Sequence, residues 1–208
     1  MTIVLDGTNG ITTPLDVEIQ GSTSGSIVLA APAIAGTNTQ TLVAATGTLA
    51  PIVSGTVQAS TSGTAKDFTE IPSWVKRITV LLSGVSLSGT SSILIQLGDS
   101  GGVETSGYAG AGVVAVNAGG SVGSISAAGL YLHIGAAAAT ISGIAQFALL
   151  DSATNLWSGG ASYSFTATAT AGSSATSKTL SDTLTQIRLT TVNGTDTFDA
   201  GSVNILYE

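Results

Sequence analysis

The sequence predicts an all-β protein: an extended N-terminal β stem over residues 1–65, then a jelly-roll-like β-sandwich domain over residues 66–208. Three observations predict it. Apolar and polar residues alternate with period two in many short runs, as strands with one buried face require. Gly, Ala, Ser and Thr make up more than half the chain, which suits thin, closely packed sheets and tight turns. All ten aromatic residues lie at or after Phe68, so the first third is built differently from the rest.

The stem carries a weak repeat. APAIAGT at 31–37 matches APIVSGT at 50–56, and STSG occurs at 22–25 and again at 60–63. With Pro14, Pro32, Pro51 and Pro72 at similar spacing, these define a degenerate unit of about 19 residues, a short strand or two and a turn. Ile27, Val28, Leu29, Leu42 and Val43 are its strand-like positions. Such a segment has no aromatic core and is marginal alone, so it is expected to wind with copies of itself. A flexible Ser/Thr/Gly linker is the alternative.

In the second part, VKRITVLL (75–82) puts Ile78, Val80 and Leu82 on one face, with Lys76 at the start of that face. Arg77 falls on the opposite face with Thr79 and Leu81, and is expected to pair with Asp67 or Glu70. SILIQLG (92–98) aligns Ile93, Ile95 and Leu97. ASYSFTATAT (161–170) aligns Tyr163, Phe165, Ala167 and Ala169; TLTQIRLTTV (183–192) and SVNILYE (202–208) continue the pattern. Asn193-Gly194 is a hairpin signal. GAAAATISGIAQ (135–146) holds an alanine run but reads as strand or loop, because Gly, Thr and Ile surround it.

Charge excludes some functions. The formal net charge is -7, whereas nucleic-acid binding needs clustered Lys and Arg. There is no cysteine, so thiolate metal sites and disulfides are out, and no cofactor is expected. No run approaches the roughly 18 apolar residues of a membrane-spanning helix. The start, MTIVLDGTNG, lacks the basic region of a signal peptide. Only 8% of residues are charged, so much of the surface is expected to be hidden in an assembly.

Candidate chemistry is sparse. GDSGG (98–102) equals the stretch around a serine-protease nucleophile and nominates Ser100. Such a serine needs a histidine base, and the one histidine, His133, follows it in the order opposite to that family's. The stretch therefore reads as a turn closed by Asp99. His133 reads as a hydrogen-bonded structural residue. Asp16/Glu18, Asp99/Glu104 and Asp196/Asp199 read as solvated turn acids rather than glycosidase or calcium pairs. Tyr108 and Trp157 lie beside Gly-rich stretches and are candidate partner contacts; each is also a natural core or rim residue. Trp74 and Arg77 mark the stem–domain junction.

VLDGTNGITTP (4–14) and GSTSGSIVLAAPAIAGTNTQTLVAATGTL (21–49) resemble the N-terminal stretches of tailed-bacteriophage structural proteins of the tail-fibre-like kind. The segment from Asp67 to Tyr108 and the ending DTFDAGSVNILYE resemble a domain carried on such stems. The resemblance implies a homotrimeric virion protein, made in the host cytoplasm, with its stem docked on other virion proteins. It would be a tail fibre or short spike that meets a host receptor or glycan, or alternatively a capsid decoration protein or head fibre. Binding rather than enzymatic turnover is expected.

Overall fold

In the computed structural model, the described residues are 17–20, 26–29, 51–116, 120–137, 139–166 and 170–208. The chain divides into two compact units, Met1–Thr48 and Leu49–Glu208. In the first, β1 (Val17–Gln20) and β2 (Ser26–Leu29) form an antiparallel pair in which Val17 faces Leu29 and Ile19 faces Ile27. The other strand-like positions of the predicted repeat, Leu42 and Val43, lie outside the described residues.

The second unit is all-β, and no helix occurs among the described residues. It holds two antiparallel sheets. The strands in chain order are β3 (Val53–Ser54), β4 (Gln58–Ala59), β5 (Ala65–Phe68), β6 (Arg77–Leu87), β7 (Ile93–Asp99) and β8 (Gly102–Val103). Next come β9 (Ala109–Val116), β10 (Gly120–Ser126), β11 (Leu130–Leu132), β12 (Ile141–Asp151) and β13 (Leu156–Phe165). The last three are β14 (Thr170–Thr179), β15 (Gln186–Thr191) and β16 (Phe198–Tyr207). The larger sheet runs β10-β9-β14-β13-β12-β6-β16-β3, with β4 also on β16. The smaller runs β11-β7-β15-β5, with β8 on β7.

The two sheets share one core. Ile78, Val80 and Leu82 of β6, Phe147 of β12 and Ile205 of β16 meet Ile93, Ile95 and Leu97 of β7 and Ile187 and Leu189 of β15 in a single buried cluster. The predicted inward faces of 75–82 and 92–98 are therefore those observed. β7 is buried on both faces; on its outer side the Gln96 amide donates to the carbonyl of Ala128, in the loop before β11, at 2.8 Å. Positions 167–169, expected to continue the 161–170 strand, lie outside the described residues.

Two features differ from the sequence reading. Residues 51–65, assigned by composition to the stem, belong to the second unit: β3 and β4 pair with β16, and Ser60 donates from its N–H to the Gly201 carbonyl at 2.9 Å. Edge strands are held by backbone hydrogen bonds, so a lack of aromatic residues does not exclude them from a sheet. Asn193-Gly194 does make a turn, with Gly194 at φ 69°. It joins β15 to β16, which lie in different sheets, so it is no hairpin. The Asn193 side-chain oxygen accepts from the N–H groups of Thr195 at 3.1 Å and Asp196 at 3.0 Å, which widens the turn into a crossing between layers.

The β6–β16 pairing contains a bulge at which Gly84 (φ 61°) and Gly201 (φ 90°) lie back to back. A Cβ on Gly201 would sit 2.4 Å from the Gly84 carbonyl carbon, so only glycine fits there.

Candidate functional site

The densest group of chemistry-bearing side chains surrounds the GDSGG turn at the end of β7. Asp99 is only 2% exposed. One carboxylate oxygen accepts from the Gly101 N–H at 2.8 Å and the other from the Ser181 hydroxyl at 2.5 Å. The Ser181 N–H in turn donates to Glu104 Oε1 at 2.7 Å, and Glu104 Oε2 pairs with the Lys178 ammonium. That ammonium lies 5.4 Å from the centre of the Tyr108 ring, a cation–π contact. The Tyr108 hydroxyl accepts from the Leu97 N–H at 2.6 Å and donates to the Glu104 carbonyl at 3.0 Å. Asp99, Ser181, Glu104, Lys178 and Tyr108 thus form a closed brace that ties the β7–β8 turn to the segment after β14.

The electrostatics follow from these partners. The Ser181 hydroxyl, helped by the Gly101 N–H, holds the Asp99 carboxyl below its ordinary value against the opposing effect of burial. Burial works to raise the Glu104 carboxyl, but Lys178 and Ser181 together keep it below its usual range. Burial pushes the Tyr108 hydroxyl well up, so it stays protonated. Both acids titrate lower folded than unfolded, so they stabilise the fold above the unfolded carboxylate pKa of about 4 and lose that contribution as pH falls through the depressed folded values. Urea melts between pH 7 and pH 3 are expected to show stability falling below about pH 4, and Asp99→Asn is expected to flatten that fall.

Ser100 and His133 do not meet. The Ser100 hydroxyl is exposed, and its one partner is Asp182 at 3.5 Å. His133 follows β11, whose Leu132 pairs with Ile93 at the opposite end of β7 from Ser100. Six or seven residues of strand separate the two ends, roughly 20 Å. His133 Nδ1 lies 3.3 Å from the Tyr131 hydroxyl, and its backbone N–H donates to the Tyr163 hydroxyl at 2.8 Å. Partial burial lowers its pKa. Among the described residues its hydrogen-bond partners are two tyrosines, and none is an acid or a serine nucleophile.

The other nominated residues are also committed. Tyr108 and Trp157 are 4% and 2% exposed, so the structure places both in the interior rather than at a partner-facing rim. Asp196 accepts from the Ser91 N–H at 2.9 Å, and Asp199 from the Ser86 hydroxyl at 2.5 Å, so the two carboxylates are not turned to one ion. Among the described residues no group of three or more His, Asp or Glu is arranged to hold a metal. Asp16 lies outside the described residues.

Trp74 and Arg77 belong to a latch at the start of β6. Arg77 pairs with Glu208 rather than with Asp67 or Glu70, and the N–H groups of Lys76 and Arg77 both donate to the Glu208 carbonyl, at 2.7 and 2.8 Å. Antiparallel pairing of β6 with β16 brings the last residue beside the first strand turn, a closure that local sequence could not show. Asp67 instead holds Arg188 through two bonds of 2.6 and 2.7 Å across the β5–β15 pair. Trp74 is 42% exposed and lies 5.9 Å from the Tyr207 ring centre. Trp74→Ala is expected to cost only about 1 kcal/mol in a denaturant melt, the scale of one aromatic pair.

Sequence reasoning missed the Glu104–Lys178 pair. The one available signal was that Lys178 is the only basic residue between Arg77 and Arg188, set on a strand of Ser, Thr and Ala. No family model matches the chain, and no curated protein or solved structure matches it.

Proposed function

We propose that this chain is a structural protein of a phage virion, a homotrimer acting as a tail fibre or short spike, with a jelly-roll-like body on a β stem. It works by binding, and three copies of a weak site give avidity that one lacks. The observation that carries this reading is the brace around Asp99: the side chains best able to do chemistry hold each other and the backbone of a turn. The β1–β2 pair fits a stem unit of short strands, and the resemblance of residues 4–49 supplies the virion context. The low charge of the chain, 8% of residues, also suits a second reading as a capsid decoration protein or head fibre that stabilises the particle.

Immunogold labelling of purified particles tests both. Label at the tail supports the fibre reading and label over the capsid the decoration reading. Absence of the chain from purified particles contradicts both.

A further inference from the structure

Between Glu104 and Lys178 the chain carries one formal charge, Asp151. That stretch contains β9, β10, β12 and β13 and most of β14, and with β14 these are the five contiguous strands at one end of the larger sheet. The registers show what its outer face, turned away from the smaller sheet, presents. Residues opposite one another share a face, so one row runs Val113, Ser173, Ser162, Ile144 and Leu81 across β9, β14, β13, β12 and β6. The next row runs Ala111, Ala175, Gly160, Gln146 and Thr79. Among the described residues of these and the flanking rows, the one charge is Arg77, at the margin. No aromatic side chain interrupts them.

The face is not merely small-residued. Val113, Ile125 and Ile144 on it and its edge are 42, 87 and 44% exposed. The edge strand β10, GSVGSIS, has no Lys, no Pro and no bulge against β9, the devices by which exposed edges resist pairing. Six strands, β10 to β6, at about 4.8 Å and four rows at about 6.8 Å give a patch of roughly 780 Å². A stable interface needs about 800 Å² from each partner.

We propose that this outer face of the larger sheet is the contact surface for a second copy of the same chain. Charge selects that occupant. Two copies, each at a net charge of -7, repel wherever their acids meet, and this face lets them approach with those acids kept apart. The inference rests on the oligomeric reading above, and puts the contact that holds the copies together in the body.

The test uses the full chain and two substitutions at Ser162, an exposed position near the middle of the patch. Sedimentation of Ser162→Glu is expected to give 20.3 kDa, or a marked shift towards it, while Ser62→Glu, on an exposed bend between β4 and β5, keeps the wild-type mass. Ser162→Cys is nearly isosteric and, in a chain without cysteine, gives one labelling site. Its maleimide labelling is expected to be slowed several-fold in the assembled protein relative to Ser62→Cys. If wild type is assembled, yet Ser162→Glu keeps its mass and Ser162→Cys labels as fast as Ser62→Cys, this surface is wrong and the oligomeric reading stands. If wild type itself sediments at 20.3 kDa, both fall.

Discussion

Glu104→Ala is expected to destabilise the second unit by about 2–3 kcal/mol, read as a lowered urea midpoint with unchanged slope. The cause is what the substitution leaves behind. The Lys178 side chain is 8% exposed, and without Glu104 its ammonium is a buried charge with only the Tyr108 ring for company. The Ser181 N–H loses its acceptor as well. Lys178→Met is expected to cost less, because Glu104 is 23% exposed and can turn to water, while the Met chain still covers the Tyr108 ring. The double variant Glu104→Ala/Lys178→Met should recover much of the single loss. A double variant no more stable than Glu104→Ala alone would show that the pair is not what matters there.

Phe147→Ala is expected to cost about 3–5 kcal/mol, the loss of a fully buried aromatic together with the cavity it leaves. Phe147 is 1% exposed on β12, opposite Gly159 on β13 and Ile78 on β6. Its ring lies over Gly159: a Cβ there would fall 2.4 Å from Phe147 Cδ1. Gly159→Ala should therefore destabilise by about 1–3 kcal/mol through overpacking. Much of that penalty should vanish when Phe147 is also alanine, since the methyl then enters the vacated space. Thermal melts of the two single variants and the double test this directly.

These two sites show what the sequence could and could not reveal. The inward faces of β6 and β7 were legible because period-two alternation puts Ile78, Val80 and Leu82, and Ile93, Ile95 and Leu97, on single faces whatever the partner strands are. The turn at GDSGG was legible because an Asp followed by Ser-Gly-Gly supplies a side-chain acceptor for the backbone N–H two residues on. Pairing was not legible. Arg77 finds Glu208, 131 residues away, and Glu104 meets Lys178 through the order of strands rather than through spacing. Glycines 159 and 201 look like ordinary turn residues in the string, but they are places where a ring or another backbone passes too close for a side chain. The edge strands β3 and β4 were hidden in the stem because composition reports core packing and is blind to backbone pairing.

In the string, the charge-poor run between Glu104 and Lys178 reads only as low overall charge. Its meaning depends on the strand order, which gathers β9, β10, β12, β13 and β14 side by side so that a linear bias becomes a surface. Lys178, the charge at the end of that run, points inward to Glu104 and does not break the surface.

The central claim is that the chain works as an assembly of identical copies. Sedimentation equilibrium of the full chain at micromolar concentration tests it most directly. The expected mass is about 61 kDa, three copies of 20.3 kDa, and a single species at 20.3 kDa would contradict assembly.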